Sequence, residues 1–255
     1  MPPEVFVKAT DDLAKRQRNE TAQRVLECLR HQLPARRLLC FLDDHEWQSV
    51  KDANGVANRG FYRPVTVPDP FWLTAPLYIC ERLIVGHRPA FDDFIYLHGS
   101  TCSNAVGLTM TLAHELQHFI QHSDQIHLWA ANSLVPKLKK TTLRTMGLRW
   151  CDIPHEREAR IVSKRIAEQV FGAELVRQYI DDKITKFLTE SDADDWECIQ
   201  GLTASTPYDL ARATKLFFPR LKGHRLELQQ TLEELQSNCP DFPRVDLEAL
   251  LSGAG

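Results

Sequence analysis

The sequence predicts an α+β fold, with a small N-terminal β-sheet and one helix, then a mostly helical core and further C-terminal helices. Three observations lead there. Runs rich in β-branched and aromatic residues, "RLLCFLD", "FYRPVTV" and "DFIYLHG" among them, are confined to the first hundred residues. From Ser103 onward apolar residues recur at helical spacing, broken by Gly, Pro or Asp/Ser clusters. Strands first and helices after is the order of α+β proteins, whereas alternation would mean a parallel α/β sheet.

Taken in order, residues 10–33 read as an amphipathic helix. Leu13, Val25, Leu26 and Leu29 fall at helical spacing, and Thr10 with Asp11 and Asp12 suits its start. "RLLCFLD" reads as a short buried strand. "DANGVANRG" is turn chemistry centred on Asn54-Gly55, and "FYRPVTV" is a strand after it. Pro64, Pro68, Pro70 and Pro76 forbid a long helix through that stretch. "PLYICERLIV" and "DFIYLHG" are two more strands, the second ended by Gly99 and Ser100. Helices are expected at about 104–122, 125–146, 155–171, 174–190, 207–218 and 224–237. Asp192, Asp194 and Asp195 read as helix-start or loop charges, and the tail "LLSGAG" as frayed.

At 255 residues the chain can bury a core without staples. Its 43% hydrophobic and 25% charged residues are those of a soluble globular protein. A net charge of −3 gives no general attraction to nucleic acid or to anionic membrane, so neither is expected as a partner. No apolar run is long enough to span a bilayer. "MPPEVFVKATDDLAKR" lacks the basic start and apolar stretch of a secretory signal, which points to a cytoplasmic setting. Cys28, Cys40, Cys80, Cys102, Cys151, Cys198 and Cys239 are scattered without a C-x-x-C pair, and read as reduced thiols and core filler.

One stretch carries chemistry. In "TLAHELQHFI", Thr111 to Ile120, His114 and His118 are four apart and therefore share a helix face. Two imidazoles so placed can reach one ion at ~2.0–2.1 Å. Glu115 lies about 100° around the helix from His114, where it can act on a water at the metal without being a ligand. Random placement gives such a motif in roughly one chain in forty. The flanks sharpen the signal, because Leu108, Leu112, Ala113, Leu116, Phe119 and Ile120 are apolar and Glu115 is the only Asp, Glu, Lys or Arg from Thr111 to Ile120. Polar groups on so apolar a helix need partners inside, and a cation supplies one.

These ten residues resemble the extended signature of zincin metallopeptidases. The resemblance implies His114 and His118 as ligands of one Zn2+ per chain and Glu115 as the general base. It also implies hydrolysis of peptide bonds in a peptide or protein substrate. The metzincin continuation is absent, since Gln121 stands in place of its glycine and Asp124 in place of its histidine. His122 lies another turn along, about 12 Å from His114 by the helical rise, and reads as an outlying residue. Gluzincins take their third ligand from a later helix, and "EREA" in "CDIPHEREARIVSKRIAEQVFG" resembles their E-x-x-A pattern. That alignment makes Glu156 the ligand and Ala159 the small residue that lets helices approach. The alternative alignment selects Glu158. Two residues apart is about 200° around a helix, so only one of them can face the metal. The chain departs from the family where an acidic residue or asparagine is common, with Arg160 four after Glu156 and Val162 four after Glu158.

The resemblance divides the chain into an N-terminal α/β part over 1–100, zincin catalytic helices over 101–172 and a C-terminal helical part over 173–255, within one continuous unit. A donor for the oxyanion is not assigned; Tyr96, His98, His127, His155 and Tyr179 are eligible. In the family a strand before the active-site helix takes extended substrate by strand addition, and "DFIYLHG" occupies that place, with Tyr96 or His98 beside the cleft. Two other readings stay open: a zinc amide hydrolase acting on a non-protein substrate, and a metal-stabilised interaction module without activity. In the latter the C-terminal helices would bind a protein partner. Retention of Glu115 argues against a purely structural site, which has no use for a base.

Overall fold

The computed structural model describes residues 3–9, 11–43, 60–65, 79, 81, 83–85, 88–97, 99–138, 143, 145–186, 190–205, 207–239 and 241–253. The fold class is α+β. The strands are β1 (Glu4–Lys8), β2 (Leu38–Asp43), β3 (Gly60–Pro64), β4 (Ile84–Val85), β5 (Arg88–Pro89) and β6 (Asp93–Leu97). Helix α1 (Asp12–Leu29) lies between β1 and β2 in the chain. After β6 come a single turn at Gly99–Cys102, then α2 (Ala105–Asp124), α3 (Ile126–Ser133) and α4 (Pro154–Phe171). The last five are α5 (Ala173–Lys186), α6 (Glu190–Gly201), α7 (Leu210–Phe217), α8 (Arg225–Asn238) and α9 (Leu247–Ser252).

Residue contacts divide the chain into two compact units, one of residues 1–119 and 166–176, the other of 120–165 and 177–255. The first holds a four-stranded mixed sheet in the order β1-β2-β6-β3, with β3 antiparallel to β6 and the other pairs parallel. Parallel β1 and β2 require a crossover, which α1 supplies, with Asp11 accepting from Ala14 N at its start. β2 and β6 are buried along their whole length, as the middle strands of a covered sheet must be. Leu39 and Phe41 stand opposite Phe94 and Tyr96 and pack with Val65, Ile79 and Leu83 on one face. Tyr62 of β3 packs on Phe119 of α2 with ring centroids 6.0 Å apart.

Gly60 has a packing reason. A Cβ there would run into Leu97 Cδ2 and lie 3.1 Å from both Thr111 Cγ2 and the Tyr96 carbonyl oxygen. Glycine therefore lets β3 run close to α2, on which Thr111 sits three residues before His114.

Asp93 opens β6 fully buried. Its Oδ1 accepts from the Tyr62 hydroxyl at 2.7 Å, and its Oδ2 lies 2.8 Å from Arg36 Nε. Burial outweighs both partners and pushes the carboxyl up to about 6. A raised folded value means the native state holds the proton longer than the unfolded chain. The associated stability is complete below about pH 4 and is lost as pH rises through about 6. The stability of Asp93→Asn relative to the native chain should therefore grow between pH 4 and 7, by at most about 1.4 kcal/mol per pH unit. Urea midpoints across that range measure it, and a difference independent of pH would refute it.

In the second unit Leu134, Val135 and Leu138 form a core with Phe217, Phe218, Leu221, Leu228, Leu232, Leu247 and Leu251. Cys151 and Cys198 are joined in a disulfide across 47 residues of sequence. This corrects the expectation that every cysteine is a reduced thiol, and removes the cysteine argument for a cytoplasmic setting. The disulfide ties the turn before α4 to α6. Lys164 Nζ on α4 adds hydrogen bonds to the carbonyls of Gln200 and Leu202 at 3.0 and 2.7 Å, where α6 ends.

Several elements differ from the sequence reading. Ile79, Glu81 and Leu83 are helical, so "PLYICERLIV" is not one strand; among its described residues only Ile84–Val85 is extended. The helix expected over 125–146 stops at Ser133, and Pro136 sits in the 3-10 turn that follows. Helix α6 runs where no helix is expected, and Asp192, Asp194 and Asp195 lie in its first half. The tail is not frayed up to Gly253, because Leu247 and Leu251 are buried and Gly253 closes α9 in a left-handed conformation. The turn around Asn54-Gly55 and the prolines at 68, 70 and 76 lie outside the described residues. No helix among the described residues is long and apolar enough to cross a membrane.

Candidate metal centre

Helix α2 carries His114, Glu115 and His118. Asn104 starts it, its Oδ1 accepting from Gly107 N at 3.0 Å. Leu108, Leu112, Ala113, Leu116 and Phe119 are buried, so most of the helix surface is embedded. One turn apart, His114 and His118 bring their Nε2 atoms to 3.1 Å with ring planes at 89°. Two nitrogens at ~2.05 Å from a tetrahedral zinc stand about 3.3 Å apart, so the pair has ligand spacing.

Pro154 opens α4 at a position where its missing N–H costs nothing, and Arg157 N bonds to the Ile153 carbonyl oxygen at 2.9 Å. Glu156 sits in this first turn, 7% exposed. One donor atom from each of His114, His118 and Glu156 falls within a mutual distance of 4.8 Å. Two imidazoles and a carboxylate, largely withdrawn from water, are a donor set suited to zinc. Glu115, also 7% exposed, is not in that group. Its place about 100° around the helix from His114 leaves it beside the ligands.

Glu158 is held elsewhere. Its Oε2 accepts from Gln121 Nε2 at 2.7 Å, and the same amide nitrogen donates to the His155 carbonyl oxygen at 3.0 Å. The sequence marks Gln121 only as the residue in place of the metzincin glycine, although its position three after His118 puts it on the ligand face of α2. Ala159, the small residue of the resemblance, is fully buried. Arg160 Nη2 lies 3.4 Å from Asp195 Oδ2, an ion pair.

The eligible oxyanion donors are dispersed. Tyr96 is buried in the sheet core against Phe41 and Phe61. β6 is paired on both sides, by β2 and β3, so substrate cannot add to it, and the expectation for "DFIYLHG" is corrected. His98 lies outside the described residues. His127 is exposed, with Nδ1 3.4 Å from the Arg244 carbonyl oxygen. Tyr179 packs edge-on to Trp196 with Lys183 over its ring. His155 is buried, its Nε2 3.6 Å from Glu156 Oε1, and so lies closest to the donor group by that contact. His122 is 8% exposed and packs edge-on to Trp129 at 4.6 Å between centroids.

Comparison with family models, curated proteins and solved structures finds no match to this chain.

Proposed function

We propose that this chain is a zinc-dependent metallopeptidase that hydrolyses peptide bonds. The observation that carries the reading is the convergence of His114, His118 and Glu156 within 4.8 Å, with Glu115 beside them on the same helix. Zinc held by these three would supply Lewis acidity, polarising a carbonyl and making water a nucleophile near neutral pH. The remaining steps belong to the chain. Glu115 takes the proton of the attacking water and returns it to the leaving amine. His114 and His118, fixed on one rigid helix, set where that water stands. Among the described residues β3 pairs only with β6, which leaves an edge to which an extended peptide can add.

Elemental analysis of the purified chain tests the metal directly. About one zinc per chain is expected in the wild type, and little or none in His118→Ala. A folded wild type that takes up no zinc when zinc is offered would make the motif a coincidence.

A further inference from the structure

We propose that Gln121 is a positioning residue for Glu156. The inference rests on the metal reading above and adds to it the device that chooses which carboxylate of α4 meets the imidazoles.

Gln121 is three residues after His118 and seven after His114, so all three project from one face of α2. It is 1% exposed. Its amide nitrogen has two hydrogens, and it serves two acceptors: the His155 carbonyl oxygen at 3.0 Å and Glu158 Oε2 at 2.7 Å. These acceptors bracket Glu156 in the sequence. One belongs to the residue before it, the other to the residue two after it.

Such an arrangement fixes rotation about the α4 axis. Glu156 lies between the two held groups, so with Glu158 and the His155 carbonyl both bonded to Gln121 the rotation of α4, and with it the position of Glu156, is fixed. The bond to the His155 carbonyl pins the backbone of the same turn. A rotation of α4 by one residue, about 100°, would break both bonds and take these partners from a buried carbonyl and a half-buried carboxylate. Gln121 thus acts on the metal only through Glu156. Groups bonded directly to a metal ligand typically govern metal affinity by about 10- to 100-fold, and Gln121 stands one step further out.

The test is Zn2+ affinity, measured by competition with a chromophoric chelator, beside circular dichroism to confirm folding. Gln121→Met keeps the length and apolar bulk of the side chain but removes both donors. It should weaken Zn2+ binding by about 10-fold, the lower end of that range. Glu158→Ala removes one arm only and should weaken binding less than Gln121→Met, and far less than Glu156→Ala. In a Glu156→Ala background, Gln121→Met should weaken binding no further, because the residue through which it acts is gone. A purely structural role would lower thermal stability and leave affinity unchanged. Wild-type affinity in folded Gln121→Met overturns the proposal, as does an equal loss with Glu156 absent. If Gln121→Met fails to fold, Glu158→Ala decides, and unchanged affinity there is equally fatal. A wild type that binds no Zn2+ overturns the metal reading and this proposal with it.

Discussion

Glu115→Gln is expected to reduce peptide hydrolysis by about 10²–10⁴-fold while zinc content and fold stay those of the native chain. The substitution is nearly isosteric. It removes only the ability to take a proton and hand it on. At 1.36 kcal/mol for each factor of ten, the loss corresponds to about 3–5 kcal/mol of transition-state stabilisation. Glu115 is 7% exposed on a helix embedded among Leu112, Ala113, Leu116 and Phe119, so a neutral amide in its place should not weaken the packing. Turnover of a mixed peptide library, read beside zinc content, separates the outcomes. Full activity would remove Glu115 from the mechanism. Loss of zinc together with activity would mean that the carboxylate holds the metal site rather than performs its chemistry.

The second large effect concerns Cys151 and Cys198. Their link spans 47 residues, and restricting a loop of that size in the unfolded chain stabilises the fold by about 4 kcal/mol on the chain-entropy account. Measured values are commonly about 2–4 kcal/mol. Reduction, or the double replacement Cys151→Ser with Cys198→Ser, should lower the urea midpoint accordingly. Both cysteines are buried, so the replacement also loses some apolar packing, and the reduced native chain is the cleaner comparison. An unchanged midpoint after reduction, with thiol titration confirming two new thiols, would show that the link adds nothing to stability.

Much of the fold was legible for reasons that differ from element to element. "LLCFLD" and "DFIYL" read as strands because central strands are apolar on both faces, and both are fully buried. "PLYICERLIV" has the same apolar density, yet Ile79, Glu81 and Leu83 are helical; a short apolar run does not declare its period. "EVFVK" at the chain start went unread as a strand. What makes it one is pairing with β2, thirty-five residues away in register, which no local pattern encodes. The acidic residues before Trp196 read as helix-start or loop charges, and they lie in the first half of α6, whose buried side is supplied by Trp196, Cys198 and Ile199. The disulfide was not legible, because seven scattered cysteines carry no pairing code.

The candidate site divides in the same way. The spacing of His114 and His118 is a property of one helix and could be read from five residues of sequence. The choice between Glu156 and Glu158 depends on how α4 is turned about its axis. That angle comes from the Gln121 amide, and Gln121 is 35 residues before Glu156. Local sequence states which residues are available; a distant hydrogen bond states which of them is presented.

The way the two compact units share the chain has a practical consequence. The first unit claims residues 166–176 from within the stretch that otherwise builds the second, so neither unit is a contiguous length of sequence. A fragment that ends at Phe119 cuts α2 one residue beyond His118 and also lacks 166–176. A fragment beginning at Ile120 loses both histidines and keeps only Glu156. No expression fragment can therefore stand for either unit, and dissection of this protein has to proceed by point substitution within the whole chain.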